Sequence, residues 1–426
     1  MQKKAGLDRI DKMNRIYTDA ILAVHLVHPV NPVESPSFCP GISVCAALQL
    51  EKFFMKVILT ITLILGLCGS DFAQPARSGK SKRATASKTT KLVATQPAKP
   101  TAVKDAPKVV AGATGLVVEE VKFKGEDVTL AGTLFLPKNK VGQKVPALLM
   151  IADFYSTRDG IKVGKGVQQT YRELAEHFVA RGFAVLRYDR RCLGASDCPP
   201  QLTMSLASVD GLEAVKYLRG RKEIDPAKVW VFGHGDGSFF AASVASNKEV
   251  AGLIVTAAPG RAATKLLRDW ERQRLLDSKA SEAEIAAYMS KLDKVILALS
   301  GGGHKPEDIG SEMLDEYLAP LVKHTDYAFS WMVDDPLPLY PAALGPVLVI
   351  HGAKDRRIPV KDSSYILESL KLYEHKEFET HVLPEMDYFL KANKGAPALE
   401  ADNDLSRPLD QALLKLLDEW LAKKVK

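Results

Sequence analysis

Val229-Trp230-Val231-Phe232 runs into Gly233-His234-Gly235-Asp236-Gly237 and then into Ser238–Ala245. An apolar run of this length suits a strand buried on both faces, and Ser238–Ala245 reads as a helix. The glycines between them allow a sharp strand-to-helix turn. Outward from this turn the same alternation repeats. Apolar runs at Val145–Ile151, Phe183–Tyr188, Gly252–Ala257 and Val347–Ile350 are separated by helical patterns at Gln168–Ala180, Leu206–Leu218 and Ser363–Leu372. Alternating strand and helix predicts an α/β fold with a doubly wound, mostly parallel sheet. An antiparallel hairpin is expected at its N-terminal end, Val117–Phe123 and Val128–Leu136, turning at Gly125-Glu126-Asp127. A last strand, Glu377–Leu383, precedes an amphipathic helix marked by Leu409, Leu413, Leu416, Leu417, Trp420 and Leu421. The rhythm breaks at about residues 261–340, where Ala262–Leu299 and Ser311–Leu321 read as helices and Ser281 with Glu284 forms a capping-box pattern. An insertion here would lie as a lid over the C-terminal edge of the strands, where open α/β sheets hold their ligand crevice.

Several segments together resemble the α/β-hydrolase superfamily. Gly233–Gly237 is similar to the nucleophile elbow G-x-S-x-G. Arg187-Tyr188-Asp189-Arg190-Arg191 with Gly194 and Ser196 resembles the loop after that fold's fourth strand. Glu223-Ile224-Asp225-Pro226 resembles the lead-in to the elbow strand. Gly352–Pro359 resembles the turn carrying the triad acid, and Val382–Tyr388 the segment carrying the triad histidine. The nearest resemblance is to exported bacterial serine aminopeptidase- and esterase-like hydrolases, over about residues 116–423. It implies an α/β-hydrolase fold with a helical lid, no cofactor and no metal, and cleavage of ester or peptide bonds.

The departures fall on the chemistry. By this resemblance the nucleophile position holds Gly235, the histidine position holds Tyr388, and only the acid, Asp355, is retained. The oxyanion segment, commonly rich in small residues, reads Ala152-Asp153-Phe154, so Asp153 and Asp236 flank the site where an anion would develop. Ser238 lies three residues past the apex. Asp236 would serve as a nucleophile only in a register that puts His234 where a small residue is required. His351 reads as packing and His381 as a strand residue facing away. Asp153, Asp236, Asp355 and Asp387 are expected at one edge of the sheet, where clustered carboxylates would favour a cation or an amine. Trp270 and Trp331 either line a pocket or pack the lid. Gly301-Gly302-Gly303 lacks the Lys-Ser/Thr of a phosphate loop and reads as a lid hinge.

The N-terminal quarter carries a different message. Met55-Lys56 precedes the charge-free run Val57–Leu67, followed by Cys68-Gly69-Ser70. One positive charge, a short apolar stretch and a small-residue exit describe a signal peptide over 55–73. Leu67 weakens a lipoprotein reading of Cys68. Residues 1–54 then read as an over-extended N-terminus with the start at Met55; the alternative is an uncleaved anchor with a short cytoplasmic tail. Residues 74–115 read as a disordered basic linker, rich in Ala, Lys, Thr, Ser and Pro. The net charge is +7, but residues 74–108 hold nine Lys/Arg against one acid, which leaves 109–426 slightly acidic. The basic surplus therefore sits in a tail, and no nucleic-acid partner is indicated. Cys192 and Cys198 are the only cysteines after the linker and are expected to form a disulfide in an exported protein.

The sequence thus describes an exported α/β-hydrolase-fold protein (domain 116–426) with a degenerate triad: a non-catalytic binder of a small-molecule or peptide ligand in the cleft under the lid, touching membrane only through its signal segment. Two alternatives stay open, an active acyl or peptide hydrolase using non-standard residues and a structural cell-surface protein. The oligomeric state is not legible in the sequence.

Overall fold

The structure, a computed structural model, describes residues 108–111, 116–138, 142–153, 156–163, 166–199, 202–300, 325–395 and 402–425. The expected signal peptide, most of the linker, the helix Ser311–Leu321, the hinge Gly301–Gly303 and Phe154 lie outside these residues.

A nine-stranded sheet forms the frame, in the order β1-β2-β3-β7-β4-β8-β9-β10-β11. β1 (Lys108–Ala111), β2 (Leu116–Lys124) and β3 (Thr129–Pro137) are antiparallel neighbours, and β3 pairs antiparallel with β7 (Ala184–Tyr188). From β7 the sheet is parallel through β4 (Val145–Ile151), β8 (Ile224–His234), β9 (Leu253–Thr256), β10 (Val347–Gly352) and β11 (Phe378–Leu383). Within the expected linker, Lys-Val-Val-Ala of β1 pairs with residues 117–120, as suits a stretch with two β-branched residues. A short hairpin, β5 (Ile161–Val163) and β6 (Gly166–Gln168), was not apparent from the pattern. Glu223–Lys228 adds a bulge to the start of β8, where the register shifts between Val145 and Ala147, which accommodates Pro226 without breaking the ladder.

Alternation along the strands divides the interior in two. Ala147, Leu149 and Ile151 face a core built with α2 (Met204–Arg219) and α3 (Gly237–Ala245). Leu148 and Met150 face a second core with α1 (Thr170–Ala180) and α8 (Gln411–Lys424), where Trp230 meets Trp420 edge-on at 5.5 Å. Because both faces are covered, the central strands read as unbroken apolar runs.

The insertion packs on the first core. The stretch read as helical over 262–299 forms two helices, α4 (Ala263–Asp277) and α5 (Glu282–Ser300), the second starting at the expected capping box. Ser281 separates them: its N–H donates to Glu284 Oε2 at 2.8 Å, and Glu284 N–H donates to Ser281 Oγ at 3.3 Å. α6 (Thr325–Val333) follows, and α7 (Lys361–Leu372) returns to the sheet.

Candidate active site

The elbow sits where the strand order reverses, between the C-terminal ends of β4 and β8. β8 ends at His234, Gly235 has φ +54°, and α3 begins at Gly237. Gly235 N–H donates to Thr256 O, and Gly235 O accepts from Ser238 N–H. A Cβ at Gly237 would meet Ile151 O at 2.3 Å, so only glycine lets the helix start this close to β4. Gly235 is therefore the apex, in the conformation where the fold otherwise holds its nucleophile. Asp236 is one residue past the apex and cannot take that role. Ser238 is fully buried, its Oγ directed at Thr256 O. His234 is fully buried with Nδ1 2.9 Å from Thr256 Oγ1, and desolvation lowers it to about 4, so it is neutral.

The space where a nucleophile would stand is filled from two other directions. A Cβ at Gly235 would lie 2.4 Å from Tyr388 Oη and 2.9 Å from Asp153 Oδ1. Tyr388 Oη donates to Asp153 Oδ2 at 2.5 Å, and Asp236 N–H donates to Asp153 Oδ1 at 3.3 Å. The N–H after the apex is one of the donors that this fold aims at a developing oxyanion. Here a resident carboxyl group takes it. Asp153 is itself held by its own N–H, which donates to Tyr171 Oη at 3.1 Å. Burial, followed by the charge of Asp153, pushes the Tyr388 hydroxyl well above its ordinary value, so it stays a donor.

Helix α6 of the insertion packs beside this arrangement. Trp331 hydrogen-bonds to Asp236, and the charge of the buried Arg190 acts on Tyr327. Burial, then the neighbouring Asp153, pushes Asp236 up to about 7. The guanidinium of Arg357 lies 4.7 Å from the Tyr388 ring centroid and 4.9 Å from that of Phe389. What remains is a cavity of about 40 Å³ lined by Asp153, Asp236, Trp270, Trp331, Arg357 and Tyr388.

Asp355 lies in the turn after β10. Asp355 Oδ1 accepts from the N–H groups of Arg357 at 2.8 Å and Ile358 at 2.9 Å. Its Oδ2 has no hydrogen-bond partner among the described residues. His351 Nε2 is 3.5 Å from that oxygen, but it is hydrogen-bonded to Ile358 O at 2.8 Å. Burial pushes Asp355 up to about 8. Lys354 N–H donates to Met386 O, which ties the acid turn to the segment bearing Tyr388. His381, on β11, pairs with Glu379 at 3.3 Å, away from the elbow.

The expected four-carboxylate site for a cation or amine does not form. Asp153 and Asp236 meet at the elbow, Asp355 turns to backbone N–H groups, and Asp387 is ion-paired with Arg407 at 2.5 Å. Arg190 and Arg357 already bring positive charge to the elbow carboxyls. Among the described residues no cluster of three or more His, Cys, Asp or Glu suits a metal ion. Cys192 and Cys198 are joined by a disulfide with Cα atoms 4.0 Å apart, a little closer than the usual separation of about 4.4–6.8 Å. Cys192 takes φ +66° to make this short loop. Tyr171 and Tyr327 were missed as site residues. Both lie on helices whose apolar spacing marks them as core, and nothing in that spacing shows where a hydroxyl points.

A family model for the alpha/beta hydrolase family matches residues 168–390, more than half of the chain. The chain belongs to the alpha/beta hydrolase family. Among curated relatives, this hydrolase-family chain is 27% identical over 142 residues to the quorum-quenching protein AidA of Acinetobacter baumannii (strain MDR-ZJ06), covering 33% of this chain and 43% of that protein. It is 27% identical over 172 residues to the thiohydrolase apmlB of Arthrinium phaeospermum, covering 40% of this chain and 52% of that one. The chain thus spans about half the length of the curated relatives it matches. Among solved structures, the alpha/beta hydrolase GrgF from Penicillium sp. sh18 superposes with a TM-score of 0.47 at 20% identity, covering 72% of this chain and 99% of that one.

Proposed function

We propose that this protein is a non-hydrolysing member of its family, an exported ligand-binding protein. The observation that carries the reading is the Asp153 carboxyl group, held between Asp236 N–H and the Tyr388 hydroxyl beside an apex that has no side chain. Acyl transfer by a serine hydrolase needs a hydroxyl nucleophile, a base within hydrogen-bond reach and donors free to take up oxyanion charge. Gly235 supplies no nucleophile. Tyr388, held protonated, supplies no base. The elbow N–H is engaged, and a carboxylate there would repel an oxyanion.

The relatives named for quorum quenching and for thiohydrolysis favour a hydrolytic reading, over about half of their lengths. Fluorophosphonate labelling of the purified protein, with turnover of aryl esters and aminoacyl anilides, decides between the two. No labelling and no turnover above background is the expected result. Stoichiometric labelling mapped to a serine beneath the lid would replace this reading with hydrolysis.

Export rests on the apolar run after Met55-Lys56. N-terminal sequencing of the exported protein is expected to find a start within residues 69–76, and a chain that retains Met1 would overturn it.

A further inference from the structure

β11 ends the sheet, and among the described residues no strand pairs with its outer side. An open edge offers a row of unpaired N–H and C=O groups, which proteins ordinarily blunt with Lys, Pro, a bulge or a covering element. Phe378–Leu383 reads Phe-Glu-Thr-His-Val-Leu, without Lys or Pro. Its register against β10 runs without a shift from Val347 opposite Phe378 to Gly352 opposite Leu383, so it holds no bulge. None of its residues is buried, whereas every residue of β10 beside it is.

The bonds to β10 fix which backbone groups face outward. Glu377 O accepts from Val347 N–H, and Leu383 O accepts from Ala353 N–H. Successive residues of a strand turn their N–H and C=O to opposite sides. Glu377, Glu379, His381 and Leu383 therefore serve the ladder with β10, while Phe378, Thr380 and Val382 turn both groups to the open side. In an antiparallel pair, residues that exchange bonds stand opposite each other, so an outward-turned residue must meet an outward-turned one.

This rule leaves a second copy of β11 three central registers about a twofold axis, on Glu379, Thr380 or His381. Centring on Glu379 sets two carboxylates opposite each other, which is unfavourable. Centring on His381 sets two imidazoles opposite each other and Glu379 against Leu383. Centring on Thr380 sets Thr against Thr, Phe378 against Val382 and Glu379 against His381. A hydroxyl pair, an aromatic with a β-branched residue and a carboxylate with an imidazole are each favourable across a strand pair. Within one copy His381 Nε2 already lies 3.3 Å from Glu379 Oε2, so the two copies would close a ring of alternating carboxylates and imidazoles. On the other face Phe378 packs on the core, and Val382 stands 50% exposed where the second Phe378 would cover it.

We propose that two copies of this chain associate through β11, antiparallel about a twofold axis at Thr380, which joins their sheets into one. Glu379 of each copy faces the partner's His381. The interface uses no residue of the elbow, so it stands whether or not the elbow hydrolyses.

Sedimentation of the exported chain over a range of concentrations tests it, and a monomer–dimer equilibrium is expected. Thr380→Pro removes the N–H groups at the axis and leaves the β10 ladder intact, and it is expected to weaken the dimer about tenfold or more. His381→Glu sets carboxylates against each other and is expected to weaken it by a similar factor, with Glu379→His added to His381→Glu restoring it. That pair of variants decides the matter if the proline variant does not fold. Opposite Cα atoms in a hydrogen-bonded pair lie about 5.5 Å apart, within disulfide range. Thr380→Cys is therefore expected to give a covalent dimer on mild oxidation, and Val382→Cys, whose two copies stand apart in this register, is not. A monomer at every concentration would overturn the proposal. So would a dimer indifferent to both Thr380→Pro and His381→Glu, which would associate through another face, or cross-linking by Val382→Cys in place of Thr380→Cys.

Discussion

The hydroxyl of Tyr388 donates to the carboxyl group of Asp153 at 2.5 Å, across the point where a side chain on Gly235 would begin. Residues 235 apart in sequence are joined by that bond, and it fills the nucleophile's place with a polar pair. The two substitutions therefore belong together: the pair fits only because the apex is glycine.

Breaking the pair is expected to cost stability and to gain no activity. Tyr388→Phe leaves Asp153 Oδ2 buried without its donor, a loss of about 1–3 kcal/mol. A double-mutant cycle with Asp153→Ala, read by urea unfolding, is expected to show coupling of about 0.5–3 kcal/mol. Additive losses would mean that the hydrogen bond contributes nothing beyond packing.

Restoring the nucleophile alone is expected to fail. Gly235→Ser puts a Cβ 2.4 Å from Tyr388 Oη, on a backbone at φ +54°. The strained backbone costs about 1–3 kcal/mol before the clash is counted. Gly235→Ser with Tyr388→His and Asp153→Gly removes both obstructions, frees Asp236 N–H and returns a base. Fluorophosphonate labelling is expected for the triple variant and absent for the single one. Labelling of Gly235→Ser alone would show that the Tyr388–Asp153 pair does not block the site.

The stability contributed by Asp355 is expected to fall as pH rises from about 4 to about 8. Asp355 titrates near the ordinary carboxylate value of about 3.9 in the unfolded chain, but burial raises it to about 8 in the native protein. Between those values the native state binds the extra proton, so its contribution is complete below the lower value and lost as pH rises through the upper one. Asp236, raised to about 7, adds in the same direction. Urea unfolding of the parent and of Asp355→Asn from pH 5 to 9 is the measurement, and the variant is expected to have the shallower slope. Identical slopes would mean that Asp355 is ionised in the folded protein.

Opening the Cys192–Cys198 bridge is expected to cost about 2 kcal/mol, from the chain entropy of a loop this short. Unfolding of the parent with and without reductant, beside Cys192→Ser with Cys198→Ser, measures it. Two thiols titrating in the denatured, unreduced protein would remove the bridge.

The frame of this fold was legible because burial on both faces writes itself as apolar runs. Val145–Ile151 matches β4 residue for residue, and the strand-to-helix turn at Gly235 follows from the glycines around it. α6 was not legible: Thr325–Val333 has no clear single apolar stripe, since Trp331 and Tyr327 turn polar atoms toward Asp236 and Arg190 while their rings pack. β5 and β6, three residues each, are too short to carry a period.

By itself the sequence determined that the turn after β8 carries glycine at Gly235 and that a tyrosine stands at Tyr388, since a missing side chain is a local fact that no packing can restore. Tertiary structure alone decided what fills the space left behind. Whether the Asp153 carboxyl takes Asp236 N–H or faces solvent, and whether Asp355 keeps an orphaned oxygen, depends on which groups β4, β8, β10 and the lid bring within 3 Å or so of each other. Directional contacts between distant segments leave no periodic trace along the chain.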